Sequence, residues 1–215
     1  MKKADIILKT AITGICVFFF LYAIAAVLYP GGSWNDNTTQ SFSFINNYWC
    51  DLLGEKGRNG IINPGRKFSL TAMFIICPIM MLFWYQFPLT LNASEKRRKW
   101  MQISGFISMF ICMFIFTSLH DYVIPSSGFF GLIALGLTFA EMLRTKKSKL
   151  FTSGLICLIL IASNNFIYYT RIGIAALPLI QKITFILFLS WIVWICIDLL
   201  REEKIKRQEV SVPEY

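Results

Sequence analysis

The sequence predicts an all-α polytopic membrane protein, a bundle of six transmembrane helices with a structured extracytoplasmic loop between the first and second. Three observations carry that prediction. Hydrophobic residues make up 56% of the chain, above the ~45–50% usual for soluble domains. Charged residues make up only 15%, where ~25% is usual. Six apolar stretches approach or exceed the ~20 residues a helix needs to cross a ~30 Å hydrocarbon core.

The first span is residues 6–29. The Met1-Lys2-Lys3 start imitates a secretory leader, but the apolar run far exceeds a leader's ~7–15 residues, so it reads as an uncleaved anchor. The second, 68–89, carries Pro78 in mid-span, which frees a backbone carbonyl and predicts a kink. The third is 100–119, the fourth 124–143, the fifth 150–169 and the sixth 178–200. Residues 1–207 thus form one transmembrane domain, with 30–67 as its cap loop and 208–215 as a polar tail.

Orientation follows from the cations. Fifteen of the 21 Lys and Arg residues fall on one side of an alternating topology: Lys2, Lys3 and Lys9, the Lys96–Lys99 run, Arg144, Lys146, Lys147 and Lys149, then Arg201, Lys204, Lys206 and Arg207. The other side has Lys56, Arg58, Arg66, Lys67, Arg171 and Lys182. Positive charge stays inside, so both termini are expected in the cytoplasm and the protein in the plasma (inner) membrane. The net charge of +9 therefore marks membrane topology, and membrane lipids rather than nucleic acid are the expected partners. Glu141 with Arg144, and Asp198 with Arg201, have the spacing of i,i+3 pairs at inner helix ends.

Five of the six cysteines lie inside spans, where they act as small hydrophobes; Cys50 alone lies in the cap loop. With one histidine and no CxxC pair, no metal centre or cofactor is expected.

The loop at residues 29–67 is the one long polar segment. Loops beyond ~12–15 residues without structure of their own tend to be functional or disordered. A disordered linker is poor in aromatic and apolar residues, whereas this one contains FSFINNYWCDLL, which predicts a short helix seated on the bundle. Trp49, Asp51, Arg58 and Asn63 are its candidate site residues.

Polar residues elsewhere cluster at the same outer side. His120-Asp121 follows the third span, Asn164 and Asn165 lie high in the fifth, and Tyr168 and Arg171 follow them. At 1.5 Å per residue Asn164 is roughly 21 Å along its helix from Leu150, still within hydrocarbon, so its amide is expected to face the bundle. His120 and Asp121 point about 100° apart on a helix and are no ready dyad. With Asp51 brought down from the loop, they would supply acid/base chemistry. Lys182, near the outer end of the sixth span, is expected to snorkel.

Taken in order, several landmarks resemble the bacterial and archaeal six-helix membrane proteins of the domain-of-unknown-function nine-nine-eight family. They are Tyr29-Pro30-Gly31, Cys50-Asp51-Leu52-Leu53-Gly54, Asn63-Pro64, His120-Asp121, Arg171 and Trp194. The resemblance implies a six-helix fold with an outer polar cluster and no known reaction. The functional expectation is an outward-facing polar pocket that binds a lipid headgroup or small amphiphile through Trp49, Arg58, Asn63, Asn164, Asn165, Tyr168 and Arg171. The alternatives are a membrane-embedded hydrolase or transferase using Asp51, His120 and Asp121 on an outer-leaflet lipid, and a small-molecule transporter.

Overall fold

Apolar runs of this length satisfy their backbone groups by winding into helices, and six long ones form. The structure, a computed structural model, describes residues 3–210. The helices are α1 (Lys3–Val27), α2 (Arg66–Thr90), α3 (Glu95–Cys112), α4 (His120–Arg144), α5 (Ser148–Thr170) and α6 (Leu177–Val210). No strand is present among the described residues, only an isolated bridge between Lys56 and Ile62. Five helices are long and apolar enough to cross a membrane.

The exception is α3. It spans 18 residues and opens with the charged run Glu95–Lys99. Its helix is expected to continue to 119 but stops at Cys112, and the chain goes on through three-residue turns in which the Phe114 N–H donates to Ile111 O and the His120 N–H to Thr117 O. His120 and Asp121 therefore open α4 instead of closing α3. Pro78 sits inside an unbroken α2, as does Pro88.

Helix neighbours follow chain order. α1 packs on α2, α2 on α3 and α3 on α4, while α6 returns to close against both α1 and α5. α4 and α5 meet far less, with Phe139 packed edge-on to Phe151 near their shared turn. Two tight turns, at Asn92 and Lys146, use left-handed backbone (φ 49° and 56°) and make α2–α3 and α4–α5 antiparallel neighbours. Close approach of α3 to α2 depends on Gly105: a Cβ there would lie 2.3 Å from the Trp84 ring. Small residues at such crossings are how helices pack where lipid removes the hydrophobic drive.

The bundle has two different ends. At the base, ion pairs tie the helices together. Glu141, wholly buried, is gripped by Arg144 at 2.6 Å and by Arg97 of α3 at 2.9 Å. Arg144 also donates to the Leu91 carbonyl at 2.8 Å, capping α2. Asp198 does not pair with Arg201 as its spacing suggested. Lys147, at the start of α5, takes it at 2.6 Å and also binds Glu202. Arg207 reaches back to Asp5 of α1 at 2.7 Å. The opposite end is covered by the loop between α1 and α2.

Candidate functional site

The loop folds by satisfying its own polar groups. It leaves α1 through Tyr29-Pro30 and turns at Gly31 and Gly32, both at positive φ. A Cβ on Gly32 would fall 2.2 Å from the Asn59 backbone nitrogen, so only glycine lets the two arms of the loop cross. A five-residue 3-10 helix, Trp49–Leu53, is the short helix expected from FSFINNYWCDLL.

Asp51 organises this helix. Its Oδ2 accepts from the Tyr48 backbone N–H and from Asn47 Nδ2, each at 3.0 Å, closing the first turn in the manner of a capping carboxylate. Its Oδ1 takes Arg58 Nε at 3.0 Å and Nη2 at 2.9 Å. Asn63 is a second clamp. Its Nδ2 donates to the Leu52 and Gly54 carbonyls and its Oδ1 accepts the Gly65 N–H at 3.0 Å. Ser69 Oγ adds a 2.7 Å bond to Leu52 O, fastening the 3-10 helix to α2. Asp51 and Asn63 are thus both buried and fully engaged within the protein.

Trp49 points into the bundle. Its ring lies 5.4 Å from Tyr22, 6.1 Å from Phe18 and 6.0 Å from Phe19 of α1, and 5.6 Å from Phe185 of α6. Its backbone N–H donates to Gln181 Oε1 at 3.2 Å. The loop therefore rests on α1, α2 and α6. Beside it, Cys50 is kept protonated by burial, reinforced by the negative charge of Asp51, and its thiol is pushed up to about 12.

Lys182 corrects a sequence expectation. It does not snorkel: its side chain is completely buried beneath the loop. The ammonium donates to Asn47 O and, at 2.7 Å, to Pro178 O, and its remaining face meets the rings of Phe42 and Phe44 at 5.7 and 5.3 Å. Asn47, also wholly buried, is the hub that joins Gly32, Ser43, Asp51 and Lys182. Nothing in the sequence sets Asn47 apart from the other polar residues of the loop.

At the rim lies a cationic-aromatic row. Arg58 lies over the Trp34 ring at 4.5 Å, and Trp34 meets Tyr48 edge-on at 6.3 Å. Across from them, Arg171 occupies the left-handed C-cap of α5 and lies over Tyr168 at 5.1 Å. Tyr48 is within electrostatic reach of both guanidinium groups. Burial raises its hydroxyl pKa, the Asp51 charge raises it further, and Arg171 and Arg58 both pull it back. Arg171 is exposed and has no carboxylate partner among the described residues. Compared with family models, curated proteins and solved structures, the chain matches none.

The other candidates divide. Asn164 faces inward as expected, donating to Thr184 Oγ1 of α6 at 2.6 Å, while its Oδ1 is buried without a partner. Asn165 is exposed and bonds only back to Ile161 O. His120 Nδ1 lies 3.2 Å from Asp121 Oδ1 despite their divergent helix positions, and His120 Nε2 is buried without a hydrogen-bond partner. Neither bonds to Asp51, whose acceptors are taken by Arg58, Asn47 and Tyr48. The structure thus gathers Trp49, Asp51, Arg58 and Asn63 into the loop's own framework and leaves Arg171 and Tyr168 at its edge.

Proposed function

We propose that this chain is an integral membrane protein of six spans with its base and both termini in the cytoplasm. In this reading the loop is an extracytoplasmic cap, and its rim binds the anionic headgroup of an outer-leaflet phospholipid. The observation that carries the ligand is the pair of guanidinium groups at the rim, Arg58 laid on the Trp34 ring and Arg171 on the Tyr168 ring. Guanidinium groups offer planar, paired donors that match phosphate oxygens, and an aromatic face beneath them limits the freedom they lose on binding. Arg58 is fixed by Asp51 and forms a positive wall. Arg171 is the group left to take the phosphate. The charge asymmetry between the ends supports the orientation, with fifteen of 21 cations at the base side.

Two measurements test this. Native mass spectrometry of the purified protein with phosphatidylglycerol should show a bound lipid that Arg171→Ala loses and Arg171→Lys partly keeps; equal retention by all three overturns the ligand. Asn37 is exposed on the loop, so Asn37→Cys should react with a membrane-impermeant maleimide in intact cells. Labelling only after lysis would reverse the orientation.

A further inference from the structure

A second site, unconnected with the cap, lies on the outside of the bundle towards the base. Between α1 and α2 a groove of about 480 Å³ runs along the surface, lined by residues that include Lys9, Thr10, Thr13, Gly14, Ile75 and Ile79. It stretches from Ile6 to Val17, eleven residues or roughly 16 Å of helix, which matches the ~15 Å hydrocarbon depth of one leaflet. Its chemistry is graded. After Ile6 at the base end come Lys9 and then two threonines, and an apolar floor follows.

The threonines are the telling feature. The other six threonines within the long helices, Thr71, Thr90, Thr138, Thr152, Thr170 and Thr184, each bond to the carbonyl four residues earlier. Thr10 and Thr13 make no side-chain hydrogen bond among the described residues. Hydroxyls turned towards hydrocarbon without a partner are costly, and a helix carbonyl was within reach of each. Both residues line the groove.

We propose that this groove binds one anionic phospholipid from the leaflet on the base side. The phosphate pairs with Lys9, the ester carbonyls accept from Thr10 and Thr13, and an acyl chain lies along Gly14, Ile75 and Ile79. Gly14 shapes the floor: a Cβ there would sit 2.5 Å from Ile79 Cδ1. The charge of Lys9 favours an anionic headgroup over a zwitterionic one.

The test uses the full-length protein carrying Arg171→Ala, so that the cap cannot contribute, and native mass spectrometry with phosphatidylglycerol or phosphatidylcholine. Expected is one retained phosphatidylglycerol and little phosphatidylcholine. Lys9→Gln, or Thr10→Val with Thr13→Val, should weaken retention roughly tenfold, the loss of charge-assisted bonds. Thr13→Phe, which fills the groove, should abolish it. Thr71→Val, whose hydroxyl is already bonded within its helix, should leave it unchanged, and circular dichroism should report the same helix content throughout. Equal retention of the two lipids, or retention indifferent to the Thr10/Thr13 and Thr13→Phe changes, overturns the site.

Discussion

Lys182 of α6 donates its ammonium to the backbone oxygen of Asn47, 135 residues earlier in the chain, and so joins the loop to the bundle. A buried lysine usually calls for a carboxylate. Here two carbonyls and two aromatic faces serve instead. The charge is spread over fixed dipoles and ring faces, an arrangement that works only while the loop is seated.

Lys182→Met should therefore loosen the loop without unfolding the helices. Asn47 O would lose its donor, and an unsatisfied buried carbonyl costs about 1–3 kcal/mol. Asn47→Ala keeps the backbone oxygen that Lys182 binds but removes the side-chain bonds to Gly32, Ser43 and Asp51, and should be worse. Limited proteolysis between residues 33 and 45 reads the effect: faster cleavage in both variants, with unchanged helical circular dichroism, is expected. A loop equally protected in wild type and Lys182→Met would contradict the anchor.

How much of this was legible beforehand depends on sequence distance. The pairing of Glu141 with Arg144 could be read because i,i+3 spacing fixes geometry within one helix. Arg97 as a second partner could not, since it depends on how α3 turns back at Asn92. The inward amide of Asn164 was readable from its depth alone. The end of α3 at Cys112 was hidden because residues 113–119 remain largely apolar, and hydrophobicity does not distinguish a helix from a string of turns. The role of Lys182 was hidden because its carbonyl partner lies on the loop, and main-chain oxygens leave no mark in a sequence.

The Cys50 thiol gives a pH signature. Alkylation proceeds through the thiolate, and burial beside Asp51 moves this thiol from an ordinary 9 to about 12. At pH 8 its maleimide labelling should run on the order of 10³-fold slower than that of a free cysteine, rising about tenfold per pH unit. The stability sign follows: the folded loop holds this proton up to about 12 while the unfolded loop releases it near 9, so the loop weakens as pH climbs above 9. A labelling rate matching a free thiol at pH 8 would show the loop open.

Glu141 should be the most sensitive residue of the base. It is wholly buried and holds guanidinium groups from α3 and α4, one of which also caps α2 through Leu91 O. Glu141→Ala leaves two partly exposed guanidinium groups without their carboxylate, a loss of about 2–3 kcal/mol that should lower Tm by roughly 5–10 °C. Glu141→Gln keeps the shape and one acceptor and should fall between. Thermal unfolding in detergent measures the series, and a Tm within a degree or two of wild type for Glu141→Ala would remove the cluster from the fold's framework.

Lys147 plays the corresponding part for α5, whose sides are otherwise thinly covered. Burial alone would depress its ammonium, but hydrogen bonds to Asp198 and Glu202 outweigh that and hold its pKa above the usual lysine value. The sign is fixed by that direction: the contribution is complete below the unfolded lysine's ~10.5 and fades only as pH rises through the higher folded value. Lys147→Met should thus free the first turn of α5 from α6 at neutral pH, raising amide exchange over residues 148–154 while leaving α1 and α2 protected. Because the bridge is half-exposed, the loss is about 1 kcal/mol or less. Measured against the intrinsic base-catalysed exchange rate, the wild type should keep this protection up to about pH 10, and a protection factor that already falls between pH 7 and 9 would mean that something other than this bridge holds α5 in place.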